Sequence, residues 1–510
     1  MKRLFAILTL VVILLTGCAA PNVATNAQTT NTEQTQTNTD STTTAQLEDD
    51  AETETIARFE LNETFQNLLD EVNTVHESVK MYNRDYEQYA GQHNDPDFSD
   101  TDYMQYLNQP LKTIYPNTLL TLEQVTEDLE IYYKALRTQY GAYTYFGDDE
   151  VFRPAIDAVI ADCAAMEYIT IGSLQDSLLQ HLSFVKDAHF LIGGWVTGEH
   201  LVPFFFRDVL YQKTENGFET MDGKLVASVE GYDDLDELFQ LSLTIEGDLV
   251  YYPILLEEVG FKEFWTGATI QCSVQTLTVQ YTDGSAEELH PQPFKLSVPT
   301  QSESVSIQEK NGIPFINAPA ISYPYNGIKL IDAARDYRDS DILIIDFRKC
   351  EGGDVSTVPE WAQAHTQHTL WGNSWPLAHG VPFSIYEYAT DHTDAEFVPM
   401  DNVRIILTSK YAASGAEMFI DTSYNMENTL IVGENTRGWF TASIRGTMTL
   451  PNTGLYVSFG PHLFLHPDGD YFEEYRGFLP DIWCPAAEAE EAVMNFIAKN
   501  TTVTYEEAKR

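Results

Sequence analysis

Residues 341–354 read DILIIDFRKCEGGD, and the run inside this stretch decides the fold. ILIIDF (342–347) is apolar at successive positions, whereas a strand with one wet face would alternate. A continuous apolar run requires that both faces of the strand be covered. Two runs of the same kind follow, VRIIL (403–407) and TLIVG (429–433), each leading through glycine or small residues into a helical pattern. Strands of this type alternating with helices imply an α/β layer around a buried sheet. In open α/β sheets the chemistry sits at the carboxyl ends of the strands. Two such ends stand out: RKCEGGD (348–354) after the first run and SKYAASGAE (409–417) after the second.

The second end places one hydroxyl, Ser414, among Ala412, Ala413 and Gly415 at a strand-to-helix turn. Ser414 and Glu417 have the Ser-x-x-Glu spacing of a capping box, in which each side chain satisfies the other's backbone N–H. The same helix start offers N–H groups and a positive dipole end to a developing oxyanion. Cap and nucleophile are therefore compatible roles. Gly352-Gly353 at the first end is the natural second donor, since glycine lets a backbone N–H approach a substrate without a side chain in between.

Moving outward, residues 56–195 carry helical spacing, as in LEQVTEDLEIYYKALRTQY and in GSLQDSLLQHLSFV, where Leu174, Leu178, Leu182 and Val185 repeat behind a Ser173 cap. Residues 196–305 change to short alternating runs with turn signals, which predicts a β-rich insert. Residues 306–510 form the α/β core. The expected class is a multidomain α+β chain: helical bundle, insert and core.

The N-terminus MKRLFAILTLVVILLTGCAA has a basic start, an apolar run from Leu4 to Leu15 and small residues up to Cys18. That order is a secretory signal, and the run is shorter than the roughly 18 to 20 residues that spanning requires. Leu15-Thr16-Gly17-Cys18 resembles a bacterial lipobox, which implies cleavage after residue 17 and a diacylglyceryl group on the Cys18 sulfur. Two acyl chains suffice for stable anchoring. Residues 18–55, rich in Thr, Gln and Asn, cannot bury enough apolar surface to order themselves and are expected to form a stalk. The protein is thus expected to be exported and held at the extracytoplasmic face of the cell membrane.

With 77 acidic against 29 basic residues, the net charge of −48 disfavours nucleic acid as a partner. Cys163, Cys272, Cys350 and Cys484 lack CxxC spacing, and the His365/His368 and His462/His466 pairs lack a third ligand. No metal and no cofactor are expected.

Taken together, the two strand ends resemble known motifs. DILIIDFRKCEGGD is similar to the Asp-Leu-Arg-x-Asn-x-Gly-Gly stretch of the C-terminal-processing (tail-specific) serine peptidases and their tricorn-core relatives, and YAASGAEMF (411–419) to their Ser-Ala-x-Glu turn. TLIVGENTRG (429–438), TLPNTGL (449–455) and EEYRGFLPDI (473–482) resemble three further motifs of that family, in the same order. The resemblance covers about 310–485 and implies a ClpP/crotonase-like core with a peptide or protein substrate. One design of the family has a lysine 25 residues after the serine, where this chain has Trp439. The other takes a histidine from an Asp-x-His segment and a glutamate from the Glu-x-x-Gly motif. FVKDAHFLIGG (184–194) supplies His189, and Glu474 has the required spacing to Gly477, with Glu473 and Asp470 as neighbouring alternatives.

The resemblance therefore implies a Ser414, His189, Glu474 triad, with Glu474 on the far nitrogen of the imidazole and the N–H groups of Gly353 and Gly415 as oxyanion donors. Ala188 and Cys350 depart from the family pattern, where tricorn has a serine and the wider family an asparagine. No PDZ-type carboxylate loop is evident in 196–305, which leaves the insert as a candidate cover for the cleft. The expected activity is serine endopeptidase; the alternative is a catalytically inactive peptide-binding lipoprotein of the same fold. Oligomeric state is not encoded in any of these patterns.

Overall fold

The computed structural model describes residues 55–507, apart from 80–88, 90–97, 108, 111–112, 114, 297–303, 379–396 and 445. The signal, Cys18 and nearly all of the expected stalk lie outside the described residues. Among the described residues, no helix is long and apolar enough to cross a membrane.

The three apolar runs are neighbouring parallel strands, Ile342–Asp346, Val403–Thr408 and Thr429–Gly433, at the centre of an 11-stranded sheet. Their alternate residues feed two separate cores, which is why the runs are apolar throughout. Leu343, Ile345, Ile406 and Ile431 face the helices Tyr325–Asp336, Thr357–Thr366 and Gly415–Ser423 through Leu330, Trp361, Phe419 and Ile420. Ile342, Ile344, Ile405, Leu407 and Val432 face the other way, against Phe65, Leu69, Phe496 and Ile497 of the helices Glu63–Ser78 and Ala489–Asn500. Burying one such Leu or Ile is worth about 1.5–3 kcal/mol.

The helical region divides differently from the sequence-based expectation. Its first helix, Glu63–Ser78, packs beneath the central sheet, and the strand Thr55–Leu61 before it pairs antiparallel with Thr501–Glu507. Residue 55, expected at the end of the stalk, already belongs to that strand. The helices Leu122–Gln139, Asp148–Ala165 and Ile171–His181 form a second body around Tyr132, Tyr140, Phe152 and Phe190. The cap of Ile171–His181 is Thr170, and Ser173 is the reciprocal partner three residues on.

The insert is β-rich as expected, yet its strands continue the core sheet. Ile482–Trp483 pairs in parallel with Phe239–Leu243, which pairs with Leu249–Gly260. The 12-residue strand Leu249–Gly260 also pairs with Glu199–Phe205. Pairings between segments some 240 residues apart leave no trace in local periodicity, so the sheet looks interrupted in the sequence where it is continuous in space.

Candidate active site

Strand Val403–Thr408 ends at Thr408, and the chain turns through Ser409–Ala413 into the helix Gly415–Ser423. Ser414 occupies that turn with φ 55° and ψ −119°. A positive φ at a non-glycine residue is strained, and its persistence requires surroundings that enforce it. Glu417 does so. Its buried carboxylate accepts the N–H of Ser414 at 2.8 Å, of Gly438 at 2.7 Å and of Trp439 at 2.8 Å, together with the Thr436 hydroxyl at 2.6 Å. Burial raises the Glu417 carboxyl, and these four donors oppose that shift.

Ser414 and Glu417 form the expected capping box, and the Glu417 N–H also goes to the Ser414 backbone carbonyl at 2.8 Å. The Ser414 hydroxyl lies 3.1 Å from Nε2 of His189. These residues stand 225 positions apart, and His189 is only 5 % exposed. Burial pushes the imidazole down to about 4, with the Arg437 charge acting in the same direction.

Gly352 and Gly353, at the end of strand Ile342–Asp346, press against the nucleophile turn. A Cβ on Gly352 would come within 2.6 Å of the Ala413 carbonyl and the Gly415 nitrogen. A Cβ on Gly415 would come within 3.1 Å of the Gly353 nitrogen. Gly353 has φ +143°, and among the described residues neither Gly353 nor Gly415 donates a hydrogen bond from its N–H. Two free N–H groups beside the serine hydroxyl form the arrangement an oxyanion hole needs. Cys350, in place of the usual asparagine, contributes its backbone, accepting the Ala413 N–H at 3.1 Å.

Glu474 reaches the turn of His189 by a different route from the one the resemblance implies. Its carboxylate accepts the N–H of Ala188 at 2.7 Å, of Phe440 at 3.1 Å and of Thr441 at 2.8 Å. The far nitrogen of His189 makes no well-formed hydrogen bond and is directed at the Ala442 carbonyl. The expected carboxylate-to-imidazole bond is thus replaced by a bond to the backbone one residue before the histidine, because three N–H donors occupy both carboxylate oxygens. The departure at Ala188 follows the same logic, since only its backbone is used. Glu473 and Asp470 do not compete: both are exposed and lie near Arg476 at 3.7 and 3.3 Å.

Trp439, at the lysine position of the other design, donates its indole N–H to Nε2 of His200 at 3.2 Å and packs edge-on to His189, with ring centroids 5.8 Å apart. Burial holds His200 well below its ordinary value, so it accepts as a neutral ring. Two further residues were not legible in the sequence. Lys410 is fully buried, and its ammonium donates to the carbonyls of Thr436, Arg437, Tyr475 and Arg476 at 2.8–3.1 Å. Burial pulls its amine well below the ordinary value, and the four carbonyls are what make the charged form tenable. It joins the Glu474 turn to the 436–437 loop and cannot act as a base. Arg437, also buried, lies over the rings of Trp265, Tyr411 and Trp439 at 4.7–4.8 Å. Trp265 comes from the insert, which therefore contributes to the wall of the site. Among the described residues, no group of His, Cys, Asp and Glu has the arrangement to hold a metal ion.

A hydroxyl on a strained strand-to-helix turn, an imidazole on that hydroxyl and two free N–H groups beside it are the parts that serine-type hydrolysis requires. Residues 325–484 match the family model described as Peptidase family S41. Among solved structures, the chain is similar to mature CPAF, at 13 % identity with TM-score 0.41, covering 76 % of this chain and 99 % of that one. It is also similar to the photosystem II D1 C-terminal processing protease, at 10 % identity with TM-score 0.35, covering 74 % and 97 %. A putative peptidase from Parabacteroides merdae aligns at 14 % identity with TM-score 0.35, covering 74 % and 96 %. A search of curated proteins gives no match.

Proposed function

We propose that the protein is a lipid-anchored, extracytoplasmic serine endopeptidase in which Ser414 attacks the scissile carbonyl and His189 is its base. The observation carrying this reading is the 3.1 Å contact between the Ser414 hydroxyl and Nε2 of His189. On attack, Nε2 takes the hydroxyl proton and then delivers it to the leaving amine; in the second half-reaction it activates the water that hydrolyses the acyl-enzyme. The N–H groups of Gly353 and Gly415 receive the oxyanion. Glu474 completes the triad by fixing the turn that carries His189 and by placing negative charge near the imidazolium as it forms.

Burial keeps His189 neutral in the resting site, which is the form a base requires. The anchor is read from the signal and Cys18, and the acidic body from the charge balance; both suit a protein displayed on the outer face of a membrane. The substrate class is polypeptide.

The test is labelling of the full-length protein with a fluorophosphonate. Wild type should be modified at Ser414, and both Ser414→Ala and His189→Ala should remain unlabelled. A folded wild type that neither labels nor cleaves an unfolded protein substrate would overturn the reading. The anchor is tested separately, by incorporation of labelled fatty acid that Cys18→Ala should abolish.

A further inference from the structure

The turn that carries His189 is held by a second carboxylate. Asp187 is fully buried, and its Oδ1 accepts the His189 N–H at 2.9 Å. Its Oδ2 accepts the hydroxyl of Tyr140 at 2.8 Å. Tyr140 is itself buried at the end of the helix Leu122–Gln139 and packs on Phe190, with ring centroids 5.4 Å apart. Two consecutive backbone N–H groups, those of Ala188 and His189, are thus bound by two different carboxylates, Glu474 and Asp187. Among the described residues, neither carboxylate forms an ion pair.

Two negative charges without a cation, Asp187 buried and Glu474 half-buried, one on each side of a single turn, favour the binding of a proton. The donor chemistry identifies which group takes it. Glu474 is surrounded by three backbone N–H groups, none of which can accept a hydrogen bond, so it must remain an acceptor. Asp187 has one partner, the Tyr140 hydroxyl, that can reverse its role and accept. Resting on the reading of His189 as the base, we propose that Asp187, held by Tyr140, is a positioning residue that fixes His189 through its backbone N–H, and that it is the member of the Asp187–Glu474 pair that binds a proton.

Burial raises both carboxyls, Glu474 well above its ordinary value with the Asp187 charge acting in the same direction, and the donor geometry decides between them. Burial pushes the Asp187 carboxyl up to about 6, whereas His189 is pushed down to about 4. Tyr140 and Tyr475 both lie well above their ordinary value, chiefly through burial, and remain neutral. Glu417 faces Glu474 from the nucleophile side and adds to its negative surroundings; Arg437 faces His189 and not the pair. Protonation of Asp187 preserves the His189 contact and removes a negative charge next to the base. The site therefore has two acid steps, an upper one belonging to Asp187 and a lower one belonging to His189.

The experiment measures the rate of fluorophosphonate inactivation against pH for full-length wild type, Asp187→Asn, Asp187→Ala and Tyr140→Phe. Wild type should show a step near pH 6 and another near pH 4. Asp187→Asn keeps an acceptor for His189 and a donor for Tyr140 but cannot titrate. It should lose the upper step and run about tenfold slower at pH 7, the equivalent of one pKa unit of lost interaction. Asp187→Ala should fall about 100-fold, as misplaced catalytic groups do, with the asparagine variant standing clearly above it. Persistence of the upper step in Asp187→Asn, or wild-type rates in Asp187→Ala, would overturn the proposal.

If the alanine variant does not fold, the asparagine and Tyr140→Phe variants carry the test. A second readout does not depend on whether Ser414 reacts: of the infrared carbonyl intensity of protonated carboxyls titrating near pH 6, where buried Asp421 also contributes, one component should be lost in Asp187→Asn relative to wild type and persist in Glu474→Gln. Its loss in Glu474→Gln instead would place the proton on the other residue and refute the assignment, even in a protein that fails to label.

Discussion

The nucleophile turn and the base turn solve the same problem with the same chemistry at different distances along the chain. Each is a strained or tight backbone segment pinned by a carboxylate that accepts backbone N–H groups. At Ser414 the carboxylate is local, three residues away on the next turn of helix. At His189 it is remote: Glu474 lies 286 positions from the Ala188 N–H it accepts. The two meet on one segment, where the N–H groups of Gly438 and Trp439 go to Glu417 and those of Phe440 and Thr441 go to Glu474. What differs is the reserve of supporting contacts. Glu417 has four donors and lies within the central core, while Glu474 has three and sits in a half-buried loop held down by Lys410.

The comparison is broken most completely by removing either reacting group. Ser414→Ala and His189→Ala should each lower the peptidase rate by on the order of 10^5–10^6-fold, and the double variant should be no worse, because groups that act as a unit are not additive. Steady-state kinetics on a peptide pool reports it. Next in size is the contrast between the two pins. Glu417→Gln should cost about 3–5 kcal/mol in urea unfolding, the range for breaking a buried charged network, whereas Glu474→Gln should cost less stability yet slow acylation. Equal stability losses would show that the base turn is as deeply anchored as the nucleophile turn.

A third test addresses the oxyanion side. Gly353→Ala places a Cβ within 2.8 Å of the Ser322 nitrogen at a backbone φ that disfavours it. It should reduce kcat about 100-fold with little change in KM, as the loss of one donor does. The smallest effect expected is in pH stability. His365, buried and stacked on Trp361, is pushed down to about 3 by burial. Its folded value lies below its unfolded value of 6.5, so the unfolded state binds more protons as pH falls. The stability contributed by keeping it neutral is complete above 6.5 and declines below. Between pH 6.5 and 5, His365→Phe should spare about 2 kcal/mol of the loss that wild type suffers, measured by denaturation at each pH.

Legibility in the sequence followed the same division between local and remote. The three central strands, Ser414, Glu417 and the two glycines could be read because each signal lies within a few residues of the next. His189 became visible only through the similarity of its Asp-x-His segment to a known pattern, since nothing near it in the chain indicates a serine. The seat of Glu474 on Ala188 could not be read, because a carboxylate bound to backbone leaves no residue-type signature at the partner. Lys410 is similarly silent: its acceptors are four carbonyls, which every residue possesses. The insert's continuity with the core sheet was hidden for the equivalent reason, as strand partners far apart in sequence share no period.

The segment 438–441 has one more implication. Its four consecutive N–H groups are divided two and two between the carboxylates of Glu417 and Glu474, so it works as a ruler with two marks on it, one for each turn. Hydroxyl and ring are therefore referred to one short run of backbone through two side chains, Glu417 and Glu474, and neither turn shifts far without moving the same four residues.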